Sequence, residues 1–292
     1  GEPRRFNCET NGVSGYIKFF DPYIYREPIE FKSEAEATKY YLAKLREQII
    51  YENPETVAAI ECETITGSNG CIIPPDGYLQ GIRDICDEFG IMMICDEVMM
   101  GWGRTGEYFA FQNWDVKPDL VSFAKGVTCG YAPLGGVIVS KKIAEYFDDH
   151  KLLCGLTYSG HPLSCAAGVA TLDVYKEEKL VENSKAMGKI LGEILEELKR
   201  KHPCVGDVRY KGLFSALELV KDKATKEPLV EYNSDPDNTM GKIIGSLKKK
   251  GFSTYSHENC IIVAPPLIIK EDELRAAMDI MDEVLGEVDK MI

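Results

Sequence analysis

Ile91-Met92-Met93-Ile94-Cys95-Asp96-Glu97 is a continuous apolar run that ends abruptly in two carboxylates. The run is too short for a buried helix and shows no alternation of apolar and polar residues, so it fits a central parallel strand covered on both faces. In an open parallel sheet, ligands bind outside the carboxyl ends of the strands, and that is where Asp96 falls. A second strand-like run, Leu120-Val121-Ser122-Phe123-Ala124, ends in Lys125-Gly126. Two strand ends of opposite charge therefore face the same edge of one sheet. Two readings follow from this pattern alone: a structural ion pair, or a site at which a cofactor sits between an amine and a carboxylate.

Outward from this pair, strand-like and helix-like segments alternate, as in an α/β protein. Toward the N-terminus, Asp76 stands before a helical pattern of Tyr78, Ile82, Ile85 and Phe89, with Gly90 as its stop, and is expected to cap it. Val57-Ala58-Ala59-Ile60-Glu61-Cys62 reads as a buried strand ending in Glu63, and a helix is expected from about Glu34 to Tyr51. Gly1 to Ser33 is rich in aromatics and Pro and reads as loop. The chain opens on Gly1-Glu2-Pro3 without an initiator Met, as a fragment would.

Toward the C-terminus, Gly135 to Ser140 reads as a further strand and Pro162 to Lys201 as a long helical region broken near Lys176 to Glu182. The break is the expected domain boundary, dividing the chain into residues 1–178, part of a large domain, and 179–292, a small α+β domain. In the small domain, Val205 to Val220 is expected to form two short strands, Asp222 to Asp237 a loop, Met240 to Lys250 a helix, Asn259 to Ala264 a strand and Glu271 to Met291 a helix.

Composition excludes several functions. Thirty-four Lys and Arg against 47 Asp and Glu give a net charge of −13, which argues against nucleic acid and anionic membrane as partners. No apolar run approaches the ~18 residues of a membrane span, and no leader is apparent. Of the ten cysteines, Cys62, Cys86, Cys95, Cys129 and Cys260 lie in or beside apolar runs, and no C-x-x-C pair occurs. They read as reduced, mostly buried thiols of a cytoplasmic protein. The four histidines, His150, His161, His202 and His257, have no metal-ligand spacing, so no metal site is expected. His161 is placed to cap the helix that follows.

Gly101-Trp102-Gly103-Arg104-Thr105-Gly106 formally satisfies the dinucleotide fingerprint after a strand. Bulky Trp102 and Arg104 stand where a pyrophosphate would approach, however, and Glu107 to Trp114 makes a poor crossover helix. Asp119 precedes its strand, whereas a ribose-binding acid would end it.

The ordered set Ile94-Cys95-Asp96-Glu97-Val98, Gly101 to Gly106, Pro118-Asp119-Leu120 and Ala124-Lys125-Gly126 resembles class III aminotransferases. Further matches are Gly67-Ser68-Asn69-Gly70 with Pro74-Pro75, Tyr131 to Gly135, Thr157 to Pro162, Arg209 to Phe214, and Pro265-Pro266-Leu267. The resemblance covers nearly the whole chain. It implies fold type I of the enzymes dependent on pyridoxal 5′-phosphate, with a mostly parallel central sheet flanked by helices. It also implies a homodimer with shared active sites, and transfer of an amino group from a small-molecule donor to a 2-oxo acid acceptor by a ping-pong route.

The resemblance assigns the Schiff-base lysine to Lys125, a role that needs an amine able to lose and regain a proton, which a guanidinium does not do. It assigns Asp96 to the pyridinium nitrogen. Val98 would pack on the ring, being on the same strand face as Asp96 if the chain stays extended; by itself it reads equally as core. Glu63 matches a glutamate near the ring and substrate, and Thr157 a threonine that reaches across the dimer to the partner's phosphate group. Taken alone, Glu63 reads as a solvated strand end and Thr157 as a turn residue. Arg104 reads as a structural pairing residue.

Two departures stand out. No Arg lies between Arg209 and Arg275, where many relatives keep one for a substrate carboxylate. Phe252 to Val263 offers Tyr255, Ser256 and His257, none of which makes a bidentate guanidinium contact. This argues against a 4-aminobutyrate or ornithine enzyme using 2-oxoglutarate, and Glu63 to Gly70 resembles members of the family that act on ω-amino donors such as taurine or β-alanine, with pyruvate as acceptor. The family also has about another third of chain before the point matching Gly1, which supplies phosphate and ring contacts. The alternatives are a mutase, racemase or decarboxylase on the same scaffold, or a truncated inactive homologue.

Overall fold

The computed structural model describes residues 12–292. Residues 12–33 are loop apart from one 3₁₀ turn at Ile24–Arg26. Helix α1, Glu34–Tyr51, starts where Ser33 caps it by accepting from the Glu36 amide, and its stripe of Ala37, Tyr41, Leu45 and Ile49 is buried. Helix α2 spans Tyr78–Phe89 and ends at Gly90 in the left-handed conformation. Asp76 is not its cap. Gly77, at φ 84°, takes the N-cap position, and the Asp76 carbonyl instead accepts from the Thr38 hydroxyl, tying α2 to α1.

Strands β1 (Ala59–Glu63), β2 (Met92–Asp96), β3 (Leu120–Phe123) and β4 (Gly136–Val139) form one sheet in that order. The first three run parallel and β4 antiparallel to β3, which agrees with a mostly parallel sheet. Met93 and Cys95 are fully buried and Met92 and Ile94 half-buried, so both faces of β2 are covered. Helix α3, Lys141–Asp149, then precedes a loop that runs to α4, Pro162–Glu177. His161 occupies the N-cap of α4 without a side-chain bond to the helix. Lys179, at φ 51°, separates α4 from α5, Leu180–Lys201.

A second sheet has the order β5-β6-β9-β8, from β5 (Val205–Lys211), β6 (Phe214–Asp222), β9 (Cys260–Val263) and β8 (Ser256–His257), with β7 (Glu227–Pro228) alongside β6. β6 buries seven residues in succession. Phe214 and Ala216 join the core under α1 and α2, whereas Leu217 and Leu219 join a core with α5, α6 (Thr239–Lys249) and α7 (Glu271–Val288). The second sheet thus packs on both halves of the chain. Among the described residues no helix is long and apolar enough to cross a membrane.

Candidate active site

Strand register aligns the carboxyl ends of the first sheet: Glu63 pairs with Asp96, and Asp96 with Ser122, three residues before Lys125. The Asp96 carboxylate is held by a local bond, its Oδ1 accepting from the Val98 amide at 2.9 Å. That bond requires the chain to turn directly after β2, which corrects the extended geometry expected of Val98. Val98 sits in a turn and shares no strand face with Asp96, and it is half-buried beside that carboxylate. Glu63 Oε2 accepts from the Gly67 amide at 2.8 Å. Burial pushes the Glu63 carboxyl above its ordinary range, and the charge of Asp96 adds to the effect.

Lys125 opens a 3₁₀ turn, Lys125–Val127, with a left-handed backbone at φ 43°. Such a conformation is costly for a residue with a Cβ and persists where the surroundings dictate it. The surroundings here are Trp102 and Tyr175. A Cβ on Gly126 would lie 2.7 Å from the Trp102 Cβ, so only glycine allows the indole this close. The Tyr175 hydroxyl donates to the Gly126 carbonyl at 3.2 Å. Lys125 itself is exposed, and among the described residues it forms no ion pair with Asp96.

Glu97 is a residue that the sequence reading left without a role. Its side chain is wholly buried and accepts from the Thr64 hydroxyl at 2.6 Å and from the amides of Ala110 and Phe111 at 2.8 and 3.0 Å. Burial raises its pKa while these bonds oppose the rise. The fully satisfied carboxyl pins the end of β1 and the loop around residue 110 to the end of β2, and so fixes the direction of Asp96. No local pattern announces it, because its partners come from two distant segments.

Thr157 lies in the exposed loop between α3 and α4, and the chain does not bring it to Asp96 or Lys125. Asp119 serves the opposite end of the sheet, where its Oδ2 accepts from the Met93 amide and from Arg83. The segment after Gly106 forms only a short 3₁₀ turn, Ala110–Trp114, which removes the crossover helix that a dinucleotide site requires. Arg104 donates to the carbonyls of Leu213 and Pro265 at 3.0 and 2.6 Å, so its partners are backbone groups, not a carboxylate. Cys86, Cys95 and Cys260 are buried and Cys62 half-buried, but Cys129, in the turn after Lys125, is exposed.

The chemistry of this donor set fits a flat cationic ring bearing an aldehyde. Among the described residues, an exposed amine without an ion pair stands just past one strand end, a carboxylate with one oxygen committed to Val98 stands at the next, and half-buried Val98 offers apolar surface beside it. The fold and this geometry define an α/β protein with an amine–carboxylate site at the ends of its central strands. Residues 8–285 match the family described as Aminotransferase class-III. The chain belongs to that family. It is 37% identical to an uncharacterized aminotransferase of Bacillus subtilis, over 89% of this chain and 58% of that protein. It is 35% identical to the taurine–pyruvate aminotransferase of Bilophila wadsworthia, over 94% of this chain and 60% of that protein. Its structure is similar, at TM-score 0.94 and 50% identity, to that of taurine:2-oxoglutarate aminotransferase from Bifidobacterium kashiwanohense in complex with PLP and glutamate, covering 98% of this chain and 65% of that one. The chain therefore spans about 60% of the length of the curated relatives it matches.

Proposed function

We propose that the chain carries the lysine-bearing part of an aminotransferase dependent on pyridoxal phosphate, which moves an amino group from an amine or ω-amino acid to a 2-oxo acid. The observation that carries this reading is the alignment of Glu63, Asp96 and the Lys125 turn at one sheet end. Bound, the cofactor supplies a protonated ring that accepts the electrons released at the substrate carbon. The protein's own residues do the rest. Lys125 would hold the cofactor through its Nζ and, once released, would carry at that Nζ the proton that transfer requires. Asp96 would pair with the ring nitrogen and favour its protonated form, and Val98 would supply apolar surface to the ring. Glu63, with its carboxyl pushed up by burial, would stand near the ring and substrate.

Thr157, exposed on its loop, is suited to reach the phosphate group in a partner copy, and the bare apolar residues of β4 suit such a homodimer. The division into residues 1–178 and 179–292 follows the turn between α4 and α5. Free thiols at every cysteine among the described residues fit the cytoplasm. Taurine and similar ω-amino acids are the favoured donors, because relatives named for taurine lie on both the sequence and the structural side. Pyruvate, which the Bilophila wadsworthia relative is named for, is the favoured acceptor, with 2-oxoglutarate, which the Bifidobacterium kashiwanohense structure is named for, as the alternative.

The test is a visible spectrum of the full-length protein with pyridoxal phosphate before and after borohydride reduction, followed by mapping of the modified residue by mass spectrometry. Modification of Lys125 is expected, together with conversion of the cofactor to its aminated form by taurine. Modification elsewhere overturns the reading, and modification of Lys125 without amine transfer to any 2-oxo acid points to a mutase, racemase or decarboxylase.

A further inference from the structure

The loop Gly101–Gly106 touches the Lys125 turn at one end and the second sheet at the other. At the first end, the Trp102 Cβ fits against Gly126, and its ring packs on Phe123 and Tyr175 with centroids 5.4 and 6.5 Å apart. At the other end, two residues on, Arg104 donates to Leu213 and Pro265, while its own carbonyl accepts from the Leu213 amide at 3.0 Å and the Ser184 hydroxyl at 3.2 Å. Glycines make the contact close: a Cβ on Gly212 would lie 2.4 Å from the Thr105 backbone, and one on Gly188 of α5 2.4 Å from the Gly212 Cα. Both ends are closely packed. The guanidinium is buried against backbone carbonyls with no carboxylate beside it among the described residues, which suits a fixed staple more than a surface ion pair.

We propose that Arg104 is a positioning residue for Lys125: the loop acts as a strut by which the place of α5 and the β5–β6 turn sets the strained backbone of the lysine turn. Trp102 and Lys125 both hold positive φ, at 60° and 43°, and neither conformation is favoured locally. Packing supplied through Arg104 maintains them. If the second sheet shifts relative to the first, the Lys125 amine shifts with it, which links movement of one half of the chain to the geometry of the other. The inference rests on the assignment of Lys125 for its meaning but not for its test.

The test is amide exchange of the cofactor-free protein, resolved by mass spectrometry, in Arg104→Gln, Arg104→Lys and Trp102→Phe. In the parent, Val127 and Thr128 amides are held by the Ala124 and Lys125 carbonyls. Arg104→Gln is expected to raise exchange at residues 211–214 and, through the strut, at 124–128 by about tenfold or more. Arg104→Lys, which keeps the cation and one donor, restores part of the protection. Trp102→Phe is expected to release 124–128 while leaving 211–214 protected. Faster exchange confined to 211–214 in both Arg104 variants overturns the proposal, and Arg104→Lys carries the same readout if Arg104→Gln does not fold. In the loaded full-length enzyme, Arg104→Lys is expected to lower kcat about tenfold with KM for the donor unchanged, since the amine is misplaced but the substrate contacts remain.

Discussion

β6 of the second sheet buries seven consecutive residues, whereas β4 of the first leaves Val137, Ile138 and Val139 exposed at 57, 44 and 40%. Polar groups follow the same division. In the second half His202 lies between Asp282 and Asp289, with 2.5 and 2.6 Å to the two carboxylates, and Asn259 bonds the Val230 backbone on both sides. In the first half the groups at the strand ends keep capacity free: Lys125 is exposed, and Asp96 has one oxygen committed. The contrast teaches that the second half keeps its buried polar groups bonded, some of them to the first half as Glu218 is to Arg26 and Arg209 to Gly70, while the first half holds a few groups at its strand ends open. Leaving a Val or Ile uncovered forgoes about 1.5–3 kcal/mol of burial, so β4 has surface to offer an interface.

The sharpest way to break this contrast is Lys125→Ala. Amine transfer by the full-length enzyme is expected to fall on the order of 10⁴-fold, the upper range for a positioned acid–base group. The urea midpoint is expected to stay the same, because the side chain is exposed. A large loss of stability would make Lys125 structural.

Leu217→Ala should do the reverse. The side chain is fully buried in the second core, and its loss is expected to cost about 2–5 kcal/mol in urea unfolding. The matching change on the first sheet, Val137→Ala, is expected to stay within about 0.5 kcal/mol in the monomer. A larger cost that grows with protein concentration would show β4 covered by a second copy.

Glu97→Gln keeps the shape but only one acceptor oxygen, so the Ala110 or the Phe111 amide, which bond different oxygens of the carboxylate, is left facing an amino group. A loss of about 1–3 kcal/mol is expected by the same measurement. No loss at all would mean that the carboxyl does not pin these segments.

The smallest effect concerns pH. Burial raises the Glu63 carboxyl, so the folded chain binds this proton more tightly than the unfolded one does. Stability is therefore greatest, as far as Glu63 is concerned, below the unfolded value of about 4.3 and declines as pH rises through the higher folded value. Glu63→Gln should remove this decline, seen as a flatter dependence of the unfolding midpoint above pH 4. An unchanged slope would place Glu63 in solvent, as its position at a strand end first suggests.

Much of the architecture was legible in the sequence. α1 falls at the expected residues because Ser33 announces it and an apolar stripe sustains it. α2 begins later than Asp76 suggested, since Gly77 in the left-handed conformation takes the cap position and the aspartate's own carbonyl is drawn to Thr38. α3 went unread although Ile143, Tyr146 and Phe147 have helical spacing after Ser140. Its apolar side chains Tyr146 and Phe147 remain 56 and 40% exposed, and nothing nearby in the sequence showed what they would pack against.

The sequence by itself determined the principal strands, though not the short β7 and β8, that Asp96 ends one of them and Lys125 follows closely on another, and to which family the chain belongs, because these are matters of local pattern and ordered motifs. Tertiary structure alone decided the register that aligns Glu63, Asp96 and Ser122, the turn that takes Val98 off the strand, and the burial of Glu97. It also decided the seat of Trp102 against Gly126. Apart from the Val98 turn, which a bond two residues back holds, each of these features joins residues far apart in the chain through parallel pairing or loop closure. Such pairings are chosen by the packing of the whole sheet and not by the residues on either side of them.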